Sequence, residues 1–287
     1  MKLPPLPDGA RLRLTTVDGV LGGKLWPAAV ALIQHLSTVY GDCSYGQTHN
    51  LQCLELGAGT GAVGLYAAAA GWFSGGVTVT EHLPPSVSVM TSVPYSVDGM
   101  LDMNMEVGVE GENRSSRLLD LLQENIHRNE QVFASSAGMP TVEPLDWTQP
   151  SDANMLRSQS QQGQGYDIVL GSDVTYISQL HSDLARTIAT TLHSSGTCWI
   201  SHQERVKSIR ASDFQLESFQ HELHQEGLRV IDTIPFPIEE ESQDSLISWV
   251  KTSPEKHNVS ILKVQHEEEA SKIKTSKGNG ENDLWLP

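Results

Sequence analysis

Short apolar runs alternate along this chain with longer segments of helical spacing. "LQCLEL" (51–56) is brief and apolar, as a buried parallel strand is. A glycine-rich loop follows, then "AVGLYAAAAG", whose alanines and leucine favour helix and whose last residue, Gly71, is placed to end it. "GVTVTE" alternates β-branched residues and predicts a second strand ending at Glu81. Together these form a βαβ unit, with a right-handed crossover expected. The pattern recurs. Leucines at helical spacing mark a helix over 117–129. "TVEPLDW" (141–147) suits a short strand that Pro144 confines to an edge or an irregular position. A strand is expected over 166–171, then a helix in "LHSDLARTIATTLHSSG" capped by Gly196, and a strand in "TCWISH". A helix with Ser212 as N-cap and strands over 228–236 and 259–264 complete the series. The sum is an α/β fold, a doubly wound, mostly parallel seven-stranded sheet.

Two stretches interrupt the series. Residues 83–116 show no period and read as a mobile insertion. Residues 148–165 contain "SQSQQGQG" and read as a flexible surface loop. The expected organisation is an N-terminal extension (1–18), one domain (19–265) carrying both insertions, and a charged, disordered tail (266–287).

The balance of 38% hydrophobic and 19% charged residues is globular, and a net charge of −16 disfavours a nucleic-acid partner. The three cysteines, Cys43, Cys53 and Cys198, are widely spaced, without a Cys-x-x-Cys pair. A reducing compartment is expected rather than a disulfide framework. "MKLPPLPDGARLRL" holds no long apolar stretch, so no signal peptide is expected. No run reaches the ~18 apolar residues of a membrane span. These features predict a cytoplasmic or nuclear protein without a membrane partner. The histidines lack a spacing such as His-Glu-x-x-His, so no metal is assigned.

"LELGAGTGAVG" (54–64) is the candidate ligand loop, at the place where open parallel sheets bind ligands. Gly57 permits a tight turn, Gly59 and Gly61 remove side chains, and the following helix offers free N–H groups. A triphosphate loop would need Gly-Lys-Ser/Thr, and no lysine is present. Gly57, Gly59 and Ala62 formally meet the dinucleotide pattern, with Glu81 as ribose acid, so an NAD-type oxidoreductase stays open. S-adenosylmethionine (SAM) also needs a glycine loop and a ribose acid, but brings an ammonium and no pyrophosphate. Glu55, two residues before Gly57, would suit the ammonium and repel a pyrophosphate, which favours SAM.

"LELGAGTGAVGL" resembles motif I of the seven-strand SAM-dependent methyltransferases. "GKLWPAAVALIQHL", "PLDW" and "YDIVLGSDVTY" narrow the resemblance to the protein-lysine N-methyltransferase branch with an Asp-x-x-Tyr motif, part of the methyltransferase-like family. "QENIHRN" and "SHQER" are weaker matches. The resemblance runs through roughly residues 19–265, apart from the two insertions. It departs from the branch at Glu81, where Asp is more frequent, and at Gly-Ser-Asp, where Gly-Ala-Asp is common.

The resemblance implies SAM as cofactor and, as partner, a non-histone protein bearing a target lysine. Gly57, Ala58 and Gly59 would line the methionyl part, Glu81 would accept the ribose hydroxyls, and Asp146 and Trp147 would flank the adenine. Trp26 and Ser172 would complete the cofactor wall. Asp173 and Tyr176, the Asp-x-x-Tyr pair, would orient the acceptor amine for in-line transfer. Three other readings stay open: a small-molecule or different side-chain acceptor, a non-catalytic SAM-binding scaffold, and the oxidoreductase above.

Overall fold

A computed structural model describes residues 2–18, 20, 22–41, 50–82, 111–134, 136, 138–203, 212–237 and 258–269. Residues 83–110 of the expected insertion, Cys43, and the tail beyond 269 lie outside the described residues.

Seven strands form one sheet: β1 (Cys53–Leu56), β2 (Val77–Glu81), β3 (Thr141–Pro144), β4 (Tyr166–Ser172), β5 (Leu192–Gln203), β6 (Leu228–Pro237) and β7 (Asn258–His266), in the order β3-β2-β1-β4-β5-β7-β6. β1 to β5 pair in parallel, and β7 runs antiparallel to both β5 and β6. The doubly wound, mostly parallel sheet expected from the sequence is present. Pro144 ends β3 at the sheet's edge, where a missing backbone donor costs no ladder bond.

Strand alternation divides the core into two layers. On one face, Cys53, Ile168, Leu170 and Ile261 pack against α1 (Pro27–Tyr40), α2 (Ala62–Ala69) and α3 (Gly111–Arg128). On the other, Leu54, Leu56, Val169 and Leu262 pack against α5 (Pro150–Gln159), α6 (His181–Thr191) and α7 (Ser212–Gln225). A short helix, α4 (Glu130–Ala134), buries Phe133 in the first layer.

Three sequence expectations are corrected. Residues 150–159 form helix α5 rather than part of a flexible loop: Pro150 occupies the first turn with Asp152, and Ala153 and Leu156 are buried one turn apart. Arg157 Nη1 donates to Thr190 O at 2.7 Å, tying α5 to the end of α6. Gly196 does not cap α6, which ends at Thr191; it lies in β5, beside a register shift, where an added Cβ would stand 2.9 Å from Asp167 O. The expected insertion ends sooner, since residues 111–116 belong to helix α3. The N-terminal extension packs on the domain: Leu6 and Leu12 join the first core layer, and Tyr66 Oη donates to Pro5 O at 2.8 Å.

Leu156→Ala should destabilise the protein by about 2–5 kcal/mol, measured by urea unfolding. A mobile loop at this position would show almost no loss.

Candidate functional site

Register assembles the site. Glu55 in β1 pairs with Val79 in β2 and Leu170 in β4, and Gly171 pairs with Ile200 in β5. Glu81 ends β2, Gly57 directly follows β1, and Ser172 ends β4 paired with Ser201 of β5, so these residues gather at the carboxyl ends of the strands. Chain order reverses between β1 and β4, the usual ligand position in an open α/β sheet.

The loop after β1 has left-handed backbone at Gly57, Gly59 and Gly61, with φ of 60°, 54° and 77°. At Gly57, an added Cβ would meet Val174 Cγ1 at 3.1 Å and Trp147 Cζ2 at 3.2 Å. At Gly59 it would stand 2.5 Å from Gly22 O, a backbone atom that no rotamer change can move. The loop is thus enclosed by Trp147 after β3, Val174 after β4, and Gly22 of the N-terminal segment. These glycines are required by the protein's own packing, and their left-handed backbone folds the loop tightly at the strand ends.

Glu81 Oε2 accepts from Gly59 N–H at 2.7 Å, and Oε1 accepts from His82 N–H at 3.0 Å. Each oxygen keeps an acceptor site for a further donor, as a ribose contact requires. Burial raises its pKa, opposed by these two hydrogen bonds.

Glu55 departs from expectation. It is 1% exposed, and its carboxylate turns inward between β1 and α2, where Oε2 accepts from Gly64 N–H at 2.9 Å. Gly61, the residue at the start of α2, has no side chain to cap the helix, so Glu55 supplies a cap from the neighbouring strand. The packing leaves no room for more: a Cβ on Gly64 would lie 2.5 Å from Glu55 Oε2 and 2.6 Å from Val79 Cγ1. Burial pushes the Glu55 pKa up to about 8, with Glu81 adding to the rise. Glu55 therefore does not present a carboxylate to the open side of the loop, and its charge does not separate SAM from a dinucleotide.

Asp146 shapes the turn after β3: Oδ1 accepts from Thr148 N–H at 2.9 Å and from Thr148 Oγ1 at 2.7 Å. Trp147 is partly buried against the second core layer and edges Gly57. Trp26 stands at the start of α1, just before Pro27. Ser172 ends β4 and pairs with Ser201.

Asp173 follows directly, 5% exposed, with φ of 55°. A left-handed non-glycine residue costs about 1–3 kcal/mol, and such strain concentrates at active sites. Its N–H donates to Ser201 O at 2.8 Å, which fixes the turn to β5. Tyr176, three residues on, is half-buried.

Sequence reasoning missed the support beneath this pair. Thr175 is fully buried and shares a 2.7 Å hydrogen bond between its Oγ1 and His202 Nδ1. Its carbonyl accepts from His181 Nε2 at 2.9 Å, so that nitrogen carries the proton. The only signal was a threonine inside "SDVTY" and a histidine in "SHQER". Asn125 and Asn129, at the end of α3, lie inside the weaker match "QENIHRN", which assigns them no role. Both are buried and bind the main chain of residues 13 and 15. Among the described residues, no group of three or more His, Cys, Asp or Glu side chains is arranged to hold a metal ion.

A sequence model of the lysine methyltransferase family matches residues 9–110 and 112–219. Two curated relatives are each called protein N-terminal and lysine N-methyltransferase EFM7, from strains B-3501A and JEC21 of Cryptococcus neoformans var. neoformans serotype D. They are 29% identical over 189 residues, 65% of this chain and 48% of theirs. The chain thus spans about half the length of these relatives. Among solved structures, Pyrococcus horikoshii TYW2 in complex with MeSAdo aligns with a TM-score of 0.48 at 14% identity, covering 91% of this chain and 70% of that one. TYW2 from M. jannaschii in complex with AdoMet gives 0.43 at 13%, covering 85% and 78%.

The raised pKa of Glu55 has a defined sign. Above its ordinary value of 4.5 the unfolded chain releases the proton while the folded chain keeps it up to about pH 8. Stability should therefore fall across that window, by up to about 1.4 kcal/mol per pH unit, and level off above it. Glu55→Gln should remove this slope in urea unfolding at stepped pH. Parallel curves for the two proteins would contradict the assignment.

Proposed function

The chain belongs to the lysine methyltransferase family, and from that premise we propose that it transfers methyl groups from SAM to the ε-amine of lysine in a non-histone protein. The observation that carries this reading is the adjacency of two features. A main-chain cradle is pinned to a ribose-type acid by the Gly59–Glu81 bond, and a strained, buried Asp173 begins the next turn at the same end of the sheet.

SAM, when bound, supplies an electrophilic methyl group on a sulfonium. Gly57, Ala58 and Gly59 would hold its methionyl part, and Glu81 its ribose hydroxyls. The adenine would lie by Asp146 and Trp147, with Trp26 and Ser172 as further walls. Lysine arrives as an ammonium and reacts only as a neutral amine, so the chain must help shed one proton and align the lone pair. Asp173 and Tyr176 supply a carboxylate and a phenol for that purpose. Their placement is stiffened by the Asp173 N–H bond to Ser201 and the Thr175–His202 bond. Water is the alternative proton acceptor.

A protein N-terminal α-amine is a second acceptor of the same chemistry, and the printed names of the EFM7 relatives include it. A cytoplasmic or nuclear site of action fits a protein substrate. No described helix is long and apolar enough to cross a membrane.

The test uses purified protein, radiolabelled SAM and cell lysate. A discrete labelled protein band is expected from the native chain. Asp173→Asn should lower its labelling rate at least about a hundredfold while S-adenosylhomocysteine still binds. Undiminished labelling by the variant would remove Asp173 from the reaction. Absence of any labelled protein, with small molecules labelled instead, would change the acceptor class.

A further inference from the structure

The N-terminal segment is held by a side-chain ladder on α3. Asn129 Oδ1 accepts from Arg13 N–H at 2.9 Å, and its Nδ2 donates to Arg13 O at 2.8 Å. One turn earlier, Asn125 Oδ1 accepts from Thr15 N–H at 2.7 Å, and its Nδ2 donates to Thr15 O at 3.2 Å. The match is geometric. Four helical residues rise about 6 Å, and two extended residues span about 6.6 Å. Two asparagines four apart can therefore read two alternate main-chain units, much as a neighbouring strand would. Both asparagines are buried, so each unmade bond would leave a costly polar group.

Asn125 does one thing more. Its Nδ2 also donates to Thr60 O at 2.9 Å, inside the glycine loop. Its two N–H bonds are thus divided between the N-terminal strap and the loop. Beyond Thr15 the strap turns back, with Val17 N–H bonded to Gly23 O at 2.7 Å and Gly23 N–H to Val20 O at 2.9 Å. That turn brings Gly22 against both Gly59 and Leu118 of α3.

We infer that Asn125 is a positioning residue for the nucleotide loop, and that it couples docking of the strap at Arg13 and Thr15 to cofactor binding. The inference rests on the SAM reading above. Asn129 holds the strap and, through Nδ2, the Asn125 carbonyl at 2.7 Å, but makes no bond to the loop among the described residues, whereas Asn125 holds strap and loop together. Cofactor binding should tighten the strap, and loosening the strap through Asn125 should weaken the cofactor.

The experiment uses the full chain and S-adenosylhomocysteine as probe. Hydrogen exchange at the Arg13 and Thr15 amides of the native protein should slow at saturating probe. Asn125→Asp keeps the side-chain shape and has no N–H to offer either carbonyl; it should raise the calorimetric Kd about tenfold or more. Asn129→Asp should speed strap exchange yet raise Kd less than threefold. A purely structural role would lower Tm in both variants and leave Kd unchanged. Unaltered strap exchange on binding, in a native protein that binds the probe, overturns the inference even if neither variant folds. Failure of the native protein to bind the probe overturns the SAM reading, and the inference with it.

Discussion

The structure depends on how one loop of five residues is held open. Gly57 to Gly61 offer no side chains of length, so the loop cannot fix itself. Three polar side chains from three elements do it instead: Glu81 of β2 takes the Gly59 N–H, Glu55 of β1 takes the Gly64 N–H at the start of α2, and Asn125 of α3 gives to Thr60 O. Each reaches main chain rather than side chain, and the loop keeps one conformation without filling its own cradle. The glycines are required at contact: Gly57 by Trp147 and Val174, Gly59 by Gly22, Gly64 by Glu55. The energetic cost is a buried, proton-holding Glu55 and a left-handed Asp173, both within reach of the same row of strand ends.

The reaction side is built on the same plan. Asp173 and Tyr176 lie on a turn between β4 and α6 that would be loose if left to its own residues. Ser201 and His202 at the end of β5 bind Asp173 N–H and Thr175 Oγ1. His181 at the start of α6 binds Thr175 O. A turn that is fixed at its first and third residues presents its carboxylate and phenol in set directions. That is what alignment of a nucleophile for displacement requires.

Much of this was legible in the sequence. Strand periodicity and the glycine loop specified the sheet, because buried parallel strands read as short apolar runs and α2 as an alanine-rich segment. Pro144 pointed to an edge or irregular strand, and β3 stands at the edge. Polar composition misled at residues 150–159, where Ala153 and Leu156 alone face the core and the low-complexity residues begin only as the helix ends. Glu55 was misjudged because sequence distance from Gly57 says nothing about which sheet face a side chain takes; alternation with Leu54 and Leu56 sends it to the α2 layer. The charge distinction between SAM and a dinucleotide fell with it, and the family match now carries that choice. The asparagine ladder was hidden for another reason. Its partners are more than a hundred residues apart, although two asparagines one turn apart in a helix, where that residue is a poor former, were a local hint.

The central claim is that the cradle at the β1 carboxyl end takes a SAM-type nucleotide. Isothermal titration of the native chain with S-adenosylhomocysteine, and separately with NAD, tests it most directly. The account predicts saturable binding of one S-adenosylhomocysteine per chain and no heat from NAD beyond dilution. Saturable NAD binding with none of S-adenosylhomocysteine would contradict it.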